Sequence, residues 1–225
     1  MTEGTPRTIV VKSSGSAEPA LDHVADAFTR ETGHLVEVCY SADLDRYDVL
    51  LASRDAVERK FRPAGTVTGQ GVVVGRTQLG IAVRSGVPCS DMSTLKGFCD
   101  ALLNSDRIVL TRNHTSGLYM EEVLRKLDLI ERLSSKIEYA ENGPRLMDRL
   151  VAGQGAEFGV LSMNAIRTYF GRGIDLAGAL PDEIQLSRDF VIIAANGSGP
   201  QDVSETFVTF CGGPGKALFE TWGFG

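Results

Sequence analysis

A chain of 225 residues, 43% hydrophobic and 23% charged, has globular composition and suits one large or two small α/β units. Its formal net charge of −6 leaves no basic surplus to displace counterions from a nucleic-acid backbone, although it does not preclude a local anion site. No basic leader with an apolar core and no apolar run of membrane-spanning length is present, so a soluble, cytoplasmic protein is expected, or a periplasmic or extracellular one where a leader has been removed.

In chain order, residues 8–11 have the pattern of a buried strand and lead into the polar turn Ser13-Ser14-Gly15-Ser16. Ala17, Ala20, Leu21, Val24, Ala25 and Phe28 then share one helical face, with Pro19 in the first turn and Gly33 as the stop. Further strand-like runs fall at 35–39, 48–51, 72–74, 79–83, 107–110, 158–161 and 190–194. Helical stretches fall at 91–104, 117–127, 144–153, 163–171, 200–211 and 215–221. Strands alternating with helices predict mostly parallel sheet built from βαβ units.

Familiar motifs fail on inspection. Gly69-Gln70-Gly71 precedes a strand, where a dinucleotide fingerprint must follow one, and Gly212-Gly213-Pro214-Gly215-Lys216-Ala217 lacks the hydroxyl that follows lysine in a phosphate loop. Cys39, Cys89, Cys99 and Cys211 make no ligand-spaced set with His23, His34 or His114, so no metal or other cofactor is expected and the thiols read as buried or half-buried.

What recurs is a strand, a short polar turn and a helix, at Ser13-Ser14-Gly15-Ser16, Thr115-Ser116-Gly117 and Ser162-Met163-Asn164, with Asn142-Gly143-Pro144 as a further helix start. Helix N-termini carry unpaired N–H groups and partial positive charge, so they solvate anions. The same residue types are ordinary helix caps, and both readings stay open for any one turn. Lys12, Arg112, His114 and Arg145 stand beside these turns, as carboxylate-binding cations or as solvated surface charges. Tyr119 either donates its hydroxyl to a ligand or packs its ring.

With those turns in place, the chain resembles the molybdate-binding-protein family of ABC transporter solute receptors, through residues 9–28 with Ser16 at the helix start, 48–51, 79–84, 115–119 and 158–161. The resemblance implies a two-lobed periplasmic-binding-protein-like fold, with residues 1–81 and 188–225 in one lobe and 82–187 in the other. It also implies a ligand cleft between the lobes, and an ABC permease as partner where an export leader has been removed. Ser16, Ser41, Ser116 and Pro144 fall where that family places ligand contacts, and the expected ligand-binding set is Lys12, Ser14, Ser16, Ser41, Arg112, Thr115, Ser116, Gly117, Tyr119, Pro144, Arg145 and Ser162. Three departures stand out: a short loop after Cys39, Ser162 in place of a tyrosine, and the cations Lys12 and Arg112. Residues 179–185 resemble the branch similar to aconitate isomerase, which implies a carboxylate ligand and proton transfer beside it, with His114 or Lys12 as base. An anion-binding protein and a polycarboxylate isomerase are therefore both carried forward.

Overall fold

The computed structural model describes residues 5–13, 17–40, 45–196 and 199–225; Ser14, Ser16 and Ser41 lie outside them. In chain order the elements are β1 (Thr8–Ser13), α1 (Glu18–Thr32), β2 (Leu35–Cys39), β3 (Val49–Ser53), α2 (Arg54–Ala56) running into a π-helical turn (Val57–Phe61), and β4 (Val72–Arg84). There follow α3 (Leu95–Asn104), β5 (Arg107–Thr111), α4 (Thr115–Lys126), α5 (Ile130–Leu133), β6 (Ile137–Ala140), α6 (Gly143–Val151), β7 (Glu157–Ser162) and α7 (Met163–Arg167). The chain ends with β8 (Ile174–Ala179), a 3-10 turn (Asp182–Ile184), β9 (Ser187–Ala194), α8 (Gln201–Gly212) and α9 (Lys216–Thr221).

These elements form two compact units, Met1–Thr77 with Arg188–Gly225 and Gln78–Ser187, so the chain leaves the first through β4 and re-enters it through β9. In the first unit β1 pairs in parallel with β2 and β3, and β9 runs antiparallel beside β3. Strand alternation turns Ile9 and Val11 inward against Ala20, Leu21, Val24 and Phe28 of α1. The Phe28 ring meets Phe207 and Phe210 of α8 edge-on, with centroids 5.0 and 5.5 Å apart. The opposite face of the sheet buries Tyr47, Leu50, Val57, Val191 and Ile193. Gly33 closes α1 in the left-handed region at φ 75°, where a glycine needs no strain.

In the second unit β5 lies between β6 and β7, parallel to both, and β4 runs antiparallel between β7 and β8. Ile108, Val109 and Leu110 of β5 are fully buried, as expected of a strand covered on both faces. Phe98 and Leu102 of α3 and Met120 and Leu124 of α4 join the core on one side; Leu146, Met147 and Leu150 of α6 join it on the other. The architecture is thus mixed α/β with mostly parallel strands, as the alternation of patterns predicts.

Several local expectations are corrected. The runs 72–74 and 79–83 are parts of one 13-residue strand, because Gly75, Arg76, Thr77 and Gln78 continue the extended backbone despite their polarity. Strands β6 and β8 lie where no strand is expected from the pattern: β6 is half-buried throughout and β8 only alternately buried, so neither has a long apolar run. The helix expected over 163–171 stops at Arg167, and the one expected from 91 begins at Leu95, where the Thr94 hydroxyl accepts the Gly97 N–H at 3.1 Å. Among the cysteines, Cys211 is buried and Cys39 and Cys99 half-buried, but Cys89 is exposed on the turn after β4.

Candidate functional site

Because β5, β6 and β7 are parallel, their carboxyl ends, at Thr111, Ala140 and Ser162, share one edge of the second unit's sheet. Each end feeds a helix, α4, α6 and α7 respectively, so the N-termini of those helices collect there. This is the edge of an open α/β sheet at which ligands bind.

At the start of α4, Asn113 takes a left-handed conformation with φ 58°, and His114 occupies the capping position with extended backbone and no side-chain capping bond. Ser116 is therefore not the cap. It lies in the first turn, 8% exposed, with its hydroxyl 3.1 Å from the Thr111 hydroxyl. Gly117 sits so close to β5 that a Cβ there would run into the Thr111 carbonyl oxygen. Thr115, His114 and Arg112 are exposed, and the Arg112 guanidinium lies 4.9 Å from the centroid of Tyr139. Burial, reinforced by a hydrogen bond to Glu121, raises the Tyr139 phenol above its ordinary range. Tyr119 turns inward from the same helix, and its hydroxyl donates to the Ile184 carbonyl at 3.1 Å.

At the start of α6 the Asn142 side chain accepts the Arg145 N–H at 3.0 Å, which makes it a true cap. Pro144 is exposed in the first turn, and the Arg145 side chain reaches Asp148 at 3.8 Å. Ser162 has the extended backbone of a capping residue but makes no side-chain capping bond. The second unit thus gathers Arg112, Thr115, Ser116, Gly117, Pro144, Arg145 and Ser162 at one edge. Lys12 belongs to the first unit, in β1, with its ammonium 5.4 Å from the Tyr47 ring centroid. Sequence reasoning missed the partnership of Thr111 with Ser116. Thr111 ends an apolar run, and nothing local marks its hydroxyl as turned towards the helix.

The amino end of this sheet carries charge of a different kind. Glu157, 8% exposed, receives Arg149 at 3.2 Å and Arg107 at 3.6 Å, and both arginines also bond Glu138. Those charges are mutually satisfied and hold the strand starts together. A recess of about 470 Å³ opens beside β8, lined among others by Cys89, Asp91, Met92, Leu180 and Asp182; its carboxylates make it unsuited to an anion. Among the described residues no group of three or more His, Cys, Asp or Glu is placed to hold a metal ion, and no helix is long and apolar enough to cross a membrane.

Parallel strands that end in helix N-termini, in each of two α/β units, define the class of solute-binding folds. The chain belongs to the family described as bacterial extracellular solute-binding protein, whose model matches residues 9–225. It is similar in structure to the periplasmic molybdate-binding protein of Azotobacter vinelandii, with TM-score 0.73 and 16% identity, covering 96% of this chain and 98% of the other. It is also similar to the sulfate-binding protein SubI of Mycobacterium tuberculosis H37Rv, with TM-score 0.75 and 16% identity, covering 97% and 86% respectively. In sequence it is 22% identical to the aconitate isomerase of a Pseudomonas species over 193 residues, 79% of this chain and 72% of that one.

Proposed function

We propose that this protein is a solute-binding protein that captures a small anion at the carboxyl edges of its parallel strands. One observation carries the reading: the buried Ser116 hydroxyl stands in the first turn of α4 without serving as its cap, beside helix N–H groups that need acceptors. Ser116, Thr115 and the first N–H groups of α4 would hold the anion, with Ser162 and Pro144 bounding it and Arg112 and Arg145 adding charge. Ser14, Ser16 and Ser41, expected contacts from the sequence, enter on the family resemblance. The solute-binding family and the molybdate- and sulfate-binding proteins of like fold support an oxyanion ligand. An extracellular location and an ABC permease partner go with that family.

A second reading is favoured by the likeness to aconitate isomerase. In it the same edge binds a di- or tricarboxylate, and His114, exposed at the α4 cap, removes a proton beside a carboxylate while the helix N-terminus stabilises the resulting charge.

Thermal shift and ligand-observed NMR with molybdate, tungstate, sulfate, citrate and the aconitates test both. Stabilisation without turnover is expected for the binding protein. Conversion of cis- to trans-aconitate would replace it with the enzyme. No stabilisation by any anion at millimolar concentration would overturn both readings.

A further inference from the structure

The first unit also has a carboxyl edge, and three charged side chains meet there. Strand register fixes the arrangement. Lys12 pairs with Leu50, Leu50 with Ile193, Ala52 with Val191, and Ser53 with Phe190 at the end of the ladder. One step further on, Arg54 and Asp189 come opposite each other, with the Arg54 Nε 3.5 Å from Asp189 Oδ2. The other oxygen, Oδ1, accepts from the Nε of Arg76 at 2.9 Å. Two guanidiniums thus share one carboxylate, and both remain open to solvent, with 49% and 60% of their side chains exposed.

An ion pair needs one guanidinium per carboxylate, and an arginine engaged only through Nε keeps its terminal nitrogens for a second acceptor. A compact inorganic oxyanion on a helix N-terminus needs no such group, because neutral N–H and hydroxyl donors suffice. Planar guanidiniums suit planar carboxylates, which they take with two parallel bonds. We infer that Arg54 and Arg76, oriented by Asp189, form an anion-binding subsite within the first unit, and that its ligand is a small polycarboxylate, with one carboxylate for each guanidinium. This rests on the anion-binding reading above and names the ligand class within it.

The test is calorimetric titration of the wild-type chain with citrate, trans-aconitate, acetate, sulfate and molybdate, repeated on R54Q/R76Q and on the charge-reversed R76E. The expected result is preferential binding of a di- or tricarboxylate, weakened about tenfold or more in R54Q/R76Q and further in R76E, with circular dichroism close to wild type and a melting temperature lowered only modestly by the lost pairing with Asp189. Polycarboxylate binding within twofold of wild type in both variants would overturn the subsite and leave the anion-binding function standing. Tight binding of molybdate or sulfate without preference for polycarboxylates would do the same. Failure of the wild-type chain to bind any of the five anions would overturn the inference together with the function on which it rests.

Discussion

The hydroxyls of Thr111 and Ser116 lie 3.1 Å apart, one at the last position of β5 and the other in the first turn of α4. Whichever donates, the pair uses one hydroxyl proton internally and keeps the other for a further acceptor. Replacing Ser116 by Ala should cost about 1–3 kcal/mol of stability by leaving the buried Thr111 hydroxyl unpaired, and should also weaken anion binding about tenfold, because the lost donor is charge-assisted in the complex. Thr111→Val should cost about 1–3 kcal/mol by leaving a buried hydroxyl unpaired. Chemical denaturation and titration with the best anion of the panel separate the two effects. An S116A variant with unchanged affinity would remove Ser116 from the site.

Gly117 should not tolerate a side chain, although alanine is the better helix former by about 1 kcal/mol. A Cβ at 117 would occupy the space of the Thr111 carbonyl oxygen, so α4 must shift away from β5. The expected net loss for Gly117→Ala is about 1–3 kcal/mol, read as a lowered urea midpoint. A neutral or stabilising result would show that the helix can move without cost.

Glu157 provides a contrast between charge that builds the fold and charge that meets a ligand. Buried at the amino end of β7 between Arg107 and Arg149, it should cost about 1–3 kcal/mol when replaced by Gln, which leaves the two guanidiniums to share the Glu138 carboxylate. Anion affinity should stay within twofold of wild type, since the network lies at the opposite end of the strands. Isothermal titration at a temperature well below the variant's melting point checks this.

Asp189 should link stability to pH. The hydrogen bond from Arg76, aided by the charges of Arg76 and Arg54, holds its carboxyl below the usual range against the opposing effect of desolvation. The stabilisation is therefore fully present above the unfolded-state value near 3.8 and is lost as pH falls through the lower folded-state value, where the unfolded chain binds the extra proton first. Melting curves between about pH 5 and pH 2 should fall less steeply for Asp189→Asn than for the wild type. Equal slopes would show that the pair with Arg76 is too solvated to matter.

Much of the fold follows from pattern. The face of α1 from Ala20 to Phe28, its stop at Gly33 and the uniformly apolar β5 are local signals, because helix and strand periods dictate which residues turn inward. The helix starts at Ser116 and Asn142 were legible as polar turns. Their different roles were not, since a cap and a ligand donor use the same residue types.

What the sequence by itself determined about this protein is its α/β alternation, the order of its turns and the membership these imply in a solute-binding class. Only the tertiary structure decided which charges meet. Arg54, Arg76 and Asp189 are separated by 22 or more positions, and nothing local to any of them marks the others. Their meeting depends on β9 returning antiparallel to β3, a register set by the burial of Leu50, Val191 and Ile193 on one face of the sheet. Side-chain chemistry is written residue by residue, whereas its concentration into a site depends on long-range strand pairing.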